Sequence, residues 1–250
     1  MEKDKNTQKK ESKANEVTSA AIAGAASCVA DATSRVTDGY NEECNNFRNT
    51  LGQKAESIQN ALDEKLATNP DYVGDRSKGV DLAYQYEKAD VIMGGKGSAD
   101  WNAAERAELV DTGKVRGYEG HHINSVAEQP ALQANPDNVA FVRGRKEHLA
   151  RHDGDFRNPS SGPLVSKDCM LERTNLKRVL ANEAMGCGLA VLSGAMIGVG
   201  SSVLSECKAE GFSFKSVKNG LKKSFKPAAQ MGIMALASYA TVRILNVIVK

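Results

Sequence analysis

The sequence predicts a mainly α-helical protein with a small α+β core, a long N-terminal helix and a C-terminal hydrophobic helical hairpin. Three observations predict it. An apolar stripe at helical spacing runs through much of the first 66 residues. Two short strand-like runs separated by a Pro-containing loop, and followed by a helical segment, occupy residues 115–152. Near the C-terminus, two runs rich in apolar and small residues carry no charge over 184–205 and 227–242.

Residues 1–14 are charged and poor in apolar side chains, which predicts a disordered leader. They contain no apolar h-region, so no secretory signal peptide is expected. From about Asn15 to Leu66, residues such as Val29, Val36, Tyr40, Cys44, Leu51, Ile58 and Leu62 recur at steps of three, four or seven, on one side of a long helix. Gly39 and Gly52 mark expected bends. The spacing is not a strict heptad, so a spacer helix packed on its own protein is favoured over a coiled coil.

Asn69-Pro70 ends that helix. A second helix is expected over Gly79–Ile92, closed by Gly94-Gly95. Ser98 or Asp100 offers an N-cap for a third over Trp101–Val110, with Gly113 as its stop. Trp101, the sole tryptophan, is expected as a core anchor. Val115–Ile123 reads as a strand, Pro136-Asp137 as a turn, Val139–Val142 as a second strand and Gly144–His152 as a helix stopped by Gly154. Beyond a Gly/Pro/Ser loop, Leu171–Glu183 reads as an amphipathic helix, and Lys208–Lys226 as a basic connector between the two charge-free runs. Four regions follow: the leader 1–14, a helical region 15–97, a core 98–165 and a basic, glycine-rich tail 166–250.

The net charge of +2 conceals an asymmetry, because the tail alone holds 12 basic and 5 acidic side chains. Aromatic content of 5% argues against a stacking platform for single-stranded nucleic acid. The five cysteines form no C-x-x-C pair, which argues against a zinc ribbon or a disulfide framework and for reduced thiols in a cytosol.

All four histidines, His121, His122, His148 and His152, fall within 32 residues. Neutral imidazole is both a metal ligand and a base matched to neutral pH. His148 and His152 are four apart on an expected helix and share a face. Neighbouring residues on a strand point to opposite sides, so one member of the 121/122 doublet can meet a metal while the other faces a substrate. Three imidazoles and an open position describe a catalytic metal site better than a structural one, which usually recruits thiolates. Arg143, Arg145 and Arg151 border the cluster as candidate phosphate contacts.

Tyr118–Val126, Asn135–Val142 and Glu147–Gly154 together resemble the HNH (ββα-metal) endonucleases, and more narrowly the G-H-H-signature branch of bacterial toxin nucleases, which is similar to the colicin-type DNases. The resemblance covers residues 98–165. It implies metal ligation by His121, His148 and His152, a general base at His122, a catalytic support role for Asn138, and a ligand-orienting role for Glu119. It further implies one divalent ion (Zn, Ni, Mg or Mn), a nucleic-acid substrate with DNA favoured over RNA, and an antibacterial role with an immunity protein as partner. The expected location is a bacterial cytoplasm or, after delivery, a target cell. The apolar segments 184–205 and 227–249 add a possible membrane contact. The alternative from another class is a membrane-associated interaction protein that keeps a degenerate nuclease fold.

Overall fold

A computed structural model describes residues 2–69, 71, 72 and 74–248, with side chains from Gly24 onward except Ala26 and Val247. The segment 1–14, expected as a disordered leader, is helical from Glu2 onward, although its side chains lie outside those described. Among the described residues, seven α-helices and two strands follow in order: α1 (Glu2–Thr68), α2 (Arg76–Ile92), α3 (Ala103–Thr112), β1 (Tyr118–His122), β2 (Val139–Arg143), α4 (Gly144–Ala150), α5 (Lys167–Glu210), α6 (Phe214–Lys223) and α7 (Phe225–Ile248). The chain is mostly helical with one small antiparallel sheet and two apolar helices. It divides into two compact units, Glu42–Val179 and Met1–Asn41 with Leu180–Lys250.

In the first of these units, the stripe on α1 finds its partner within the chain. Cys44, Leu51, Ala55 and Ile58 pack with Leu82, Tyr86, Ala89 and Met93 of α2 and Leu171 of α5. Other members of the stripe face outward: Phe47 here, and Val29, Val36 and Tyr40 in the second unit, are exposed. A periodic pattern defines a side of a helix, and the width actually covered depends on what packs there.

The second core joins Ala83, Tyr84, Trp101, Leu109, Val115, Val139 and Phe141. Trp101 is fully buried and stands edge-on to Tyr118 at 4.7 Å. Its indole N–H donates to the carboxylate of Glu87 (2.9 Å), which also accepts from the Ser98 backbone N–H (2.7 Å) and the Lys167 ammonium (2.7 Å). Both charged side chains of the Glu87–Lys167 pair are wholly buried. The expected helix over Trp101–Val110 begins two residues later. Asn102, not Ser98 or Asp100, is its N-cap: the Asn102 Oδ1 accepts from the N–H groups of Ala104 and Glu105, and the Glu105 carboxylate accepts from the Asn102 N–H. Asp100 has a left-handed backbone (φ 52°) and Ser98 is engaged by Glu87, so neither can cap. Gly113 closes α3 as expected, in the left-handed conformation.

β1 and β2 pair antiparallel with Gly120 opposite Phe141, His121 opposite Ala140 and His122 opposite Val139. The strand expected from Val115 starts only at Tyr118, after a turn at Gly117 (φ 80°). Gly120 is where α2 touches the sheet: a Cβ there would lie 2.7 Å from Val80, so a side chain would push strand and helix apart. α4 leaves β2 directly and ends at Ala150, which puts His152 in the turn after the helix rather than on it.

The helix expected over Leu171–Glu183 and the charge-free run that follows it are one continuous helix, α5, from Lys167 to Glu210. The basic connector is itself helical: α6 is capped by a reciprocal Ser213–Ser216 box. α5 and α7 meet through small residues. A Cβ on Gly194 would collide with the Met231 carbonyl, and one on Gly198 with that of Pro227. The G-x-x-x-G pair is thus consumed inside the hairpin. Arg243 of α7 pairs with Glu183 of α5 and Asp38 of α1.

Candidate metal centre

Three elements deliver the histidines to one point. β1 turns His121 inward, where it is 4% exposed, and the His148–His152 spacing survives the end of α4 because the following turn continues the same winding. One ring nitrogen from each of His121, His148 and His152 lies within 4.8 Å of the others. The ring centroids are 5.0–5.5 Å apart. A tetrahedral ion with nitrogen ligands at about 2.0–2.1 Å needs its donors roughly 3.4 Å apart. Small side-chain rotations close that difference.

Hydrogen bonding settles which nitrogen is free. His148 Nδ1–H donates to Glu119 Oε2 (2.7 Å), and His152 Nδ1–H donates to the Asn158 carbonyl (2.8 Å). Carboxylates and carbonyls only accept, so Nε2 of each ring keeps its lone pair. His121 Nδ1 is buried without a hydrogen-bond partner. A buried polar nitrogen left alone is costly, and a metal ion bound through Nδ1 would satisfy it. Burial, reinforced by His148 and His152, lowers the His121 pKa to about 4, so the ring is neutral and ligand-competent near neutral pH. The residues present therefore fit a divalent cation.

His122 points away from the cluster, as expected of its strand neighbour. It is half-buried, and its Nε2–H donates to the Gln133 carbonyl (2.9 Å), leaving Nδ1 as the basic nitrogen. Burial holds its pKa below the ordinary histidine value, with the Arg76 cation acting in the same direction. Asn138 is fully buried and does not bond the His122 ring. Its Oδ1 accepts from the Asn124 backbone N–H (2.8 Å) and Nδ2–H (3.0 Å), and its own amide donates to the carbonyls of Asn124 (3.0 Å) and Leu132 (3.4 Å). It thereby holds the loop whose next carbonyl, that of Gln133, orients His122.

The three arginines part company. Arg143 is committed to Glu105 (2.6 Å) and the Tyr118 hydroxyl (2.9 Å). Arg145 lies over the Phe156 ring at 4.8 Å, and Phe156 in turn contacts His148 and His152. Arg151 pairs with Glu147 across 3.5 Å and is more than half exposed. Arg145 and Arg151 thus border the cluster, whereas Arg143 is turned toward α3. Sequence reasoning passed over Phe156, Gln133 and Arg76. Only Arg76, a cation opening a helix after Gly74-Asp75, left any local signal.

Residues 74–143 match the family described as GHH signature containing HNH/Endo VII superfamily nuclease toxin. The match begins earlier than residue 98, taking in α2, and it ends before His148. Teneurin-m of Drosophila melanogaster is 36% identical over 84 residues, which is 34% of this chain and 3% of that protein. Mouse teneurin-3 and human teneurin-1 are 32% and 31% identical over 68 residues, in each case 27% of this chain and 2% of theirs. The likeness thus spans only a few hundredths of these relatives' length. Over residues 74–143, the chain carries the GHH signature of the HNH/Endo VII superfamily nuclease toxins.

Proposed function

We propose that the protein is a metal-dependent endonuclease that hydrolyses phosphodiester bonds, with DNA as the favoured substrate, and that it acts as an antibacterial toxin. The observation that carries this reading is the pairing of two sites on one strand: a three-imidazole cluster on one side of β1 and an oriented, neutral imidazole on the other. His121, His148 and His152 would hold one divalent ion. Such an ion, when bound, supplies Lewis acidity toward the phosphate and neutralises charge on the leaving oxygen. Zinc or nickel suits three imidazoles by ligand type, and magnesium or manganese is the alternative.

His122 does the proton work. Its Nε2–H is spent on Gln133, so Nδ1 is the nitrogen left to take a proton from an attacking water as that water's oxygen bonds to phosphorus and the bond to the leaving oxygen breaks. A base held neutral by burial is ready at neutral pH. Glu119 fixes the His148 tautomer, and Asn138 acts at one remove through the Leu132–Gln133 loop. Arg145 and Arg151 are positioned to meet phosphate oxygens. Arg143 reaches a phosphate only by leaving Glu105.

A toxin of this kind implies an immunity protein in the producing cell, and action in a bacterial cytoplasm after delivery. Membrane contact through 184–205 and 227–249 belongs to the same proposal, supported by two helices long and apolar enough to cross a bilayer. Supercoiled plasmid incubated with Mg²⁺, Mn²⁺, Ni²⁺ or Zn²⁺ tests the activity. Nicking by the wild type and its loss in His122→Ala are expected. Intact plasmid and intact RNA with every metal would instead support an interaction protein with a degenerate site.

A further inference from the structure

Burial in the C-terminal helices runs opposite to the rule for proteins in water, where large apolar side chains face the core. α6 buries Ser216 and Gly220, and its C-cap Ser224 is buried too. Outward go Phe214 (85% exposed), Leu221 (53%) and, just past its end, Phe225 (84%). α5 and α7 repeat the pattern. Their mutual contact uses Gly194, Gly198 and Ala235, with Tyr239 buried against Gly186, while Leu192, Met196, Ile233 and Ile248 stand 62–74% exposed. Small residues inside and large apolar residues outside is how helices pack when lipid, not a core, surrounds them. Within α7, Arg243 obeys the matching rule, turning inward to Glu183 and Asp38 rather than outward.

Length and charge identify the occupant of this outer face. The charge-free run of α5, 22 residues, rises about 33 Å, and the 24 residues of α7 rise about 36 Å, against a hydrocarbon thickness of about 30 Å. Between them, residues 211–226 hold Lys215, Lys218, Lys222, Lys223 and Lys226 and no acidic residue. Lysines beside exposed phenylalanines are the makings of a helix that lies in an anionic headgroup layer.

We infer that the α5–α6–α7 hairpin inserts into bilayers rich in anionic phospholipid, with the charge-free run of α5 and α7 in the hydrocarbon and α6 in the headgroup layer. The inference rests on the membrane contact proposed above and adds the lipid class and the element that reads it. It is independent of nuclease activity.

The test is flotation of the full chain with phosphatidylcholine vesicles, prepared with and without phosphatidylglycerol. The wild type is expected to float with the anionic vesicles and to resist a carbonate wash. Replacing exposed lysines (Lys215→Gln, Lys218→Gln and Lys222→Gln together) should lower partition to anionic vesicles roughly hundredfold, at about one kcal/mol per lysine. Lys223 is spared because it pairs with Glu206. Phe214→Ala with Phe225→Ala should lower partition to both vesicle types; circular dichroism checks that each variant keeps its helices. Equal partition of the wild type to both vesicle types would overturn the lipid class and leave the membrane contact standing. Absence from the floated fraction with both would overturn the contact as well. A soluble dimer that ignores vesicles would show that a second copy covers this face, and would also overturn it.

Discussion

Asn138→Ala removes the brace on which both the hairpin loop and the orientation of His122 depend. The side chain is fully buried and makes three hydrogen bonds of 2.8–3.0 Å to Asn124, plus a longer one of 3.4 Å to Leu132. At about 1 kcal/mol for each of the three good bonds, the loss is about 3 kcal/mol. The backbone N–H of Asn124 is left buried, which keeps the cost from falling much lower. For a unit of this size, such a loss lowers Tm by roughly 10 °C. Trp101 is the sole tryptophan and is buried in the same unit, so urea unfolding followed by its fluorescence reads this unit alone. Asn138→Asp is the sharper control. It keeps the two accepted bonds but sets a carboxylate against the carbonyls of Asn124 and Leu132, so it should be worse than alanine at neutral pH. In surviving folded protein, kcat should fall with KM little changed, because the Gln133 carbonyl no longer fixes His122. An alanine variant within 0.5 kcal/mol of wild type, or an aspartate variant as stable as wild type, would refute the reasoning, since surface-like changes stay within about that margin.

Glu119→Ala should weaken metal binding 10–100-fold, as expected of a lost partner to a ligating imidazole, with Glu119→Gln intermediate; calorimetric titration with Zn²⁺ measures both. Lys167→Met strands the buried Glu87 carboxylate and should cost roughly 3–5 kcal/mol. Adding Glu87→Gln should restore most of this in urea unfolding; a single substitution costing under 1 kcal/mol would contradict the buried pair. His121 carries the acid limit of the metal-free protein. Its folded pKa of about 4 lies below the ordinary 6.5, so between them the unfolded chain binds a proton that the folded one does not. Its contribution is complete above pH 6.5 and is lost as pH falls through about 4, by up to about 3 kcal/mol. His121→Leu should flatten that window in a pH series of thermal melts, and a wild-type stability unchanged from pH 7 to 4 would count against it.

Much of the site is legible in the sequence, because its parts are local. His121 and His122 face opposite sides of β1 by strand alternation, and the His148–His152 spacing survives a helix end because the turn keeps its winding. The strand–loop–strand–helix order, the helix stop at Gly113 and the core role of Trp101 follow from the same short-range rules. What required tertiary structure was every choice of partner. Glu87 and Lys167 stand 80 residues apart, and nothing in either neighbourhood announces the pair. Arg143 resembles Arg145 in sequence, yet Glu105, 38 residues away, draws it off the site. The tail shows the division most clearly. Its composition specified two apolar helices and a basic link, but only packing revealed that the small residues face inward and the phenylalanines outward. Periodicity determines which residues share a side of a helix; what lies against that side is decided by the rest of the chain and by the solvent it meets.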